Sequence, residues 1–118
     1  MTEATNAPAT RGLDATLAAL ADPHRRRVIE LLREGARPAG DLARALNLTP
    51  PAMSRHLRAL KQCGLLEESH PPFDARVRIY ALRAEPMAEL KRWLEETERT
   101  WAEQLIAFKV HIEKVDPA

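Results

Sequence analysis

Arg55, Arg58 and Gln62 recur at intervals of three and four in the stretch TPPAMSRHLRALKQCG. That spacing puts side chains on one face of a helix. With successive residues about 100° apart, Met53, Leu57 and Leu60 gather on the opposite side and must pack inward. Pro51 joins the arginine face, Ala59 lies beside it, and Ala52 and Ser54 lie at its flanks. Guanidinium is a planar, permanently charged fork that bonds bidentately to guanine or to phosphate. Thr49 and Ser54 suit phosphates or base edges, and a free helix N-terminus behind Thr49 and Pro50 suits a phosphate as well. His56 falls about 50° from the inward face; it is expected to be half-buried and hydrogen-bonded, within reach of a phosphate. The predicted contact set for double-stranded DNA is therefore Thr49, Pro51, Ala52, Ser54, Arg55, His56, Arg58 and Gln62.

A second pair follows in RVRIYAL, where Arg76 and Arg78 alternate with Val77 and Ile79 as strand periodicity requires. Both arginines are expected to point toward the DNA backbone or minor groove; the plainer alternative is that they keep an edge strand soluble. Other chemistries find little support. AGDLARAL, ahead of the reading helix, holds no cysteine, so a thiolate metal site is excluded there. His111, Glu113 and Asp116 make a thin ligand set, and no metal or cofactor is expected. His24 falls in the first turn of a helix, where a polar residue is unremarkable, and His70 borders the hairpin turn with no second ligand evident nearby. Cys63, the only cysteine, reads as a small packing side chain, since a reversible redox switch needs a resolving thiol. No glycine-rich phosphate loop, nucleophile elbow or paired carboxylates mark an enzyme.

The elements that must position these residues can be read in order. MTEATNAPAT is small, polar and aperiodic, and residues 1–12 are expected to form a disordered arm. Residues 13–118 then make a single domain, long enough for one modest core. Leu13, Leu17 and Leu20 predict a short amphipathic helix. In ADPHRRRVIELLREG, Asp22 caps, Pro23 enters the first turn and Gly35 follows the last, with Val28, Leu31 and Leu32 inward. A short helix with Leu42 and Leu46 ends near Asn47, and the reading helix begins two residues later. Two helices joined so tightly form a helix-turn-helix. LLEESH and RVRIYAL predict a hairpin turning through PPFDA. The last helix, from about Met87 to about Glu113, carries Leu90, Leu94, Thr97, Trp101, Leu105, Phe108 and Ile112 at near-heptad spacing. The predicted fold is mainly α with a small β-hairpin wing, a winged helix-turn-helix of order α-α-α-α-β-β-α.

Charge follows the same division. The net +1 of the chain hides +6 in residues 23–83, from twelve Lys/Arg against six Asp/Glu, with acidic segments on both sides. A basic centre is the footprint expected for a polyanion. No apolar run approaches a membrane span, and one cysteine suits a reducing cytoplasm.

LADPHRRRVIELLREG, DLARALNLTPPAMSRHLRALKQCGLL and ARVRIYAL together resemble the ArsR/SmtB family of bacterial transcriptional regulators, over about residues 13–83. The resemblance implies a homodimeric winged-helix repressor on an imperfect palindrome, nucleoid-associated when bound. It implies dimerisation through the first and last helices, here Leu13, Leu17, Leu20, Leu90, Leu94, Trp101, Leu105, Phe108 and Ile112. The cysteine metal site of many relatives is missing. Three alternatives stay open: metal response through other ligands, an unknown small-molecule inducer held near Trp93 and Trp101, and a protein-interaction module without specific DNA binding.

Overall fold

The computed structural model describes residues 8–115. Five helices and three short strands follow in the order α1 (Pro8–Leu20), α2 (Pro23–Leu32), β1 (Arg37–Pro38), α3 (Ala39–Leu46), α4 (Pro50–Gln62), β2 (Leu66–Ser69), β3 (Ile79–Leu82) and α5 (Ala84–Val115). The first helix starts at Pro8, ahead of the expected arm boundary at residue 12; residues 1–7 lie outside the described range. None of the described helices is long and apolar enough to cross a membrane.

Local chemistry sets most boundaries. The Asp22 carboxylate accepts from the backbone N–H of His24 at 2.7 Å and of Arg25 at 3.2 Å, with Pro23 at the first helical position of α2. At the end of α3, Asn47 takes a left-handed conformation (φ 55°, ψ 46°), and Leu48 N–H reaches back to Ala43 O at 2.9 Å. That reversal leaves only Asn47, Leu48 and Thr49 between α3 and α4, which fixes the helix-turn-helix. Gly64 repeats the device after α4: at φ +84°, a conformation glycine adopts without strain, it lets Leu65 N–H bond to Leu60 O at 3.0 Å.

The core is one cluster drawn from α2, α3, α4 and the sheet. Val28, Leu42, Leu57, Leu60 and Leu65 have no exposed surface, and Met53, Leu66 and Tyr80 almost none. Each such side chain contributes about 1.5–3 kcal/mol of burial. In α2 the third inward residue is Ile29 rather than Leu31, which is only partly buried.

The sheet differs from the expected hairpin in two ways. It has three antiparallel strands in the order β1-β3-β2, with Pro38 opposite Ile79 and Arg37 opposite Tyr80. Two residues leave no periodicity to read, so β1 was invisible in the sequence. The strands pair Leu66 with Leu82 through Ser69 with Ile79, so β3 starts at Ile79 and Arg76, Val77 and Arg78 belong to the connecting loop. The expected alternation of outward arginines with buried Val77 and Ile79 is thus corrected: both apolar residues are only half-buried.

Candidate nucleic-acid interface

Helix α4 is built from its buried side outward. Met53, Leu57 and Leu60 anchor it in the core. The Thr49 hydroxyl caps it by accepting from Ala52 N–H at 3.3 Å. This arrangement leaves Thr49, Pro51, Arg55, Arg58 and Gln62 exposed, with Ala52, Ser54 and His56 half-buried. Most basic side chains of the central block are spent inside the chain: Arg27 on Glu30, Arg37 on Glu34, Arg44 on Asp41, Lys61 on Glu68, Arg26 on the Leu20 carbonyl. Arg55 and Arg58 have no hydrogen-bond or ion-pair partner among the described residues, and the same holds in the block for Arg33 alone. Both α4 guanidiniums keep their full set of donors free for a ligand.

The two wing arginines separate. Arg76, 93% exposed, folds back on Asp74 through its backbone N–H (3.0 Å) and Nε (3.2 Å). Arg78 is half-buried and donates to Ser54 Oγ of α4 at 3.2 Å and to the Tyr80 hydroxyl at 3.4 Å. The Tyr80 hydroxyl donates to Glu68 Oε1 at 3.3 Å, which also accepts from Lys61 Nζ of α4 at 2.9 Å. A chain of polar contacts thereby leaves α4 at Ser54, crosses β3 and β2, and returns to α4 at Lys61. Its charges support one another. The Lys61 hydrogen bond holds the Glu68 carboxyl below the usual carboxylate range despite partial burial. Burial pushes the Tyr80 phenol up. Lys61, Glu68 and Tyr80 were not expected at the site, because they meet across 7 and 12 residues of sequence.

This ring holds the wing at a fixed angle to α4. Tyr80→Phe keeps the packing and removes the hydroxyl that joins Arg78 to Glu68. It is expected to cost on the order of 1 kcal/mol in urea denaturation. An unchanged midpoint would mean that the hydroxyl adds nothing.

His56 lies on the inner flank of α4. Its Nδ1 accepts from Arg25 Nε at 3.4 Å, a role that needs the neutral ring, and its ring centroid is 5.4 Å from that of His24. Burial lowers its pKa below the usual imidazole value, with Asp22 opposing and Arg25, His24 and Arg55 reinforcing the shift. The unfolded chain therefore takes up this proton before the folded one, so stability is full above about pH 6.5 and declines as pH falls through the window below it. His56→Gln is expected to flatten the fall of Tm between about pH 7 and pH 5; an identical slope in the variant would assign that fall to other groups.

Cys63 donates its thiol to Leu60 O at 3.3 Å and packs against the core. No group of three or more His, Cys, Asp or Glu placed to hold a metal occurs among the described residues; Asp116 lies outside them.

The predicted dimer residues divide. Leu20 packs on the core and Leu13 is half-buried, while Leu17 is 41% exposed. Leu90 is already buried within the chain, on the part of α5 that meets α1. From Lys91 to Lys114 every side chain is exposed, including Leu94, Trp101, Leu105, Phe108 and Ile112, which share one face. A 32-residue helix, roughly 48 Å long, thus presents an uncovered apolar seam over most of its length.

Comparison with known proteins agrees with this architecture. Residues 22–68 match the model of the family described as "Bacterial regulatory protein, arsR family". The chain is similar to the HTH-type transcriptional regulator Rv2034 of Mycobacterium tuberculosis, at 36% identity over 98 residues, covering 83% of this chain and 86% of that one. It is also similar to the transcriptional repressor SdpR of Bacillus subtilis, at 40% identity over 50 residues, 42% of this chain and only 56% of that protein's length. Among solved structures, an ArsR-like transcriptional regulator from Rhodococcus sp. RHA1 superposes with a TM-score of 0.75 at 28% identity, covering 98% of this chain and all of that one. The chain belongs to the arsR family of bacterial regulatory proteins, DNA-binding transcriptional regulators of the winged helix-turn-helix type.

Proposed function

We propose that the chain works as a homodimeric transcriptional repressor in the cytoplasm, reading a palindromic operator with one α4 from each protomer. The observation that carries this reading is the pair Arg55 and Arg58, exposed and unpartnered on α4 while most neighbouring basic groups are internally paired. In a major groove these two arginines read base edges, and Thr49, Gln62 and the N-terminal backbone of α4 engage phosphates. The α5 seam supports the dimer, since apolar surface of that extent demands a partner. Half-sites then lie about one helical turn apart, roughly 34 Å centre to centre. The likeness to a relative named a repressor favours repression over activation.

Fluorescence anisotropy with DNA from upstream of the chain's own gene, beside a random duplex and across salt concentrations, tests the reading. Selective binding with a steep salt dependence is expected. Equal, weak binding to both duplexes would make the basic block incidental and leave α5 as the functional surface.

One observation favours a second layer, release by a small molecule. Trp93, Glu96, Thr97, Thr100, Trp101 and Gln104 line an open groove along α5 that includes the seam residues Thr97 and Trp101; only a second protomer packed on it would close it around a small ligand. Ligand bound there would act on DNA affinity through the packing of α5.

A further inference from the structure

Phe73 is the most exposed of the large apolar side chains among the described residues, at 88%. It sits at the tip of the loop between β2 and β3, and that loop is braced. Pro71 and Pro72 precede the ring; Asp74 N–H bonds to Pro71 O and Val77 N–H to Asp74 O, both at 3.3 Å. The Asp74 carboxylate holds Arg76. His70 Nδ1 lies 2.9 Å from Val77 O and closes the base of the loop. A phenyl ring on such a loop cannot fold back onto the core, so its apolar surface stays in water unless a ligand covers it.

The loop's position says what that ligand is. The base of the loop lies one rung beyond the Ser69–Ile79 pair, next to Arg78, which is bonded to Ser54 of α4. The wing is therefore fixed to the helix assigned to the major groove, and its loop carries Phe73 three residues before Arg76, an exposed guanidinium held by Asp74. An apolar wedge with a cation next to it is the pairing that enters a minor groove, unstacks a base step and engages the flanking phosphates.

We propose that Phe73 is a minor-groove wedge: its ring inserts at a base step next to the sequence read by α4 and bends the duplex. The inference rests on α4 lying in the major groove, and it extends specificity to positions that α4 never touches. Flexible pyrimidine–purine steps such as TA and CA/TG are the steps that open most readily, so they are preferred under the wing. Arg76 supplies phosphate affinity there without reading sequence.

The test uses the full chain and a duplex that it selects from a randomised pool. Dyes on the duplex ends report bending by energy transfer, and 2-aminopurine at the step under the wing reports unstacking. The wild type is expected to bend the duplex and raise the 2-aminopurine signal. Phe73→Ala is expected to lose both, bind about tenfold more weakly and keep its salt slope; Phe73→Leu, still an apolar wedge, is expected to retain most of the bend. Arg76→Ala is expected to flatten the slope by about one while keeping the unstacking signal. If Phe73→Ala bends and binds as the wild type does, or loses affinity with the bend intact, the wedge is overturned and the α4 reading stands. If the wild type selects no sequence from the pool, both fall together.

Discussion

Replacing Arg55 and Arg58 together with alanine is expected to erase most of the preference for operator over random DNA, a loss of roughly thirtyfold or more at about 1–3 kcal/mol for each base-reading arginine. The fold has no stake in either guanidinium: both are exposed and neither has a partner among the described residues. The variant should therefore unfold within about 0.5 kcal/mol of the wild type, so a binding defect can be read as a contact defect. Each single variant should show part of the loss. If affinity for random DNA falls as steeply as affinity for operator, the two arginines touch phosphates only, and sequence is read elsewhere on α4.

Leu105→Asp is expected to convert the proposed dimer to monomers in sedimentation equilibrium and, with it, to abolish operator binding at concentrations that saturate the wild type. Leu105 lies in the middle of the uncovered α5 seam and is 52% exposed in the single chain. In a two-fold dimer the substitution acts twice, placing two carboxylates in the apolar layer, each with a desolvation cost of several kcal/mol. Ile106 supplies the control. It is 63% exposed yet lies about 100° further round the helix, off the seam. Ile106→Asp should leave the dimer intact. A dimer that survives Leu105→Asp and dissociates with Ile106→Asp would place the interface on the wrong face of α5.

What the sequence disclosed follows how local the responsible chemistry is. Helix α4 was legible end to end because Thr49, Pro50 and Gly64 each act on their own few residues. The seam of α5 was legible because periodicity is a property of one segment, although Leu90 belongs to the chain's own packing. The wing was harder. Arg76 to Ile79 alternates as a strand would, but the Asp74 side chain captures Arg76 and competes with the ladder. The ring from Ser54 through Arg78, Tyr80 and Glu68 to Lys61 could not be read at all, since its members meet only once sheet and helix are docked. Within the chain, Arg78 and Ser54 join the wing to α4. A signal for Phe73 was present, an aromatic among Pro71, Pro72 and Asp74 in a turn, where burial is not on offer.

Hydroxyl-radical footprinting on the selected duplex tests the central claim most directly, because it reports where on the DNA the protein sits and how many copies of α4 it brings. Two protected patches on one face, related by the palindrome and separated by about one helical turn, are the expected result, both lost in the Arg55→Ala/Arg58→Ala double variant. A single patch, or protection without regular spacing that persists in that variant, would contradict a dimer reading DNA through α4.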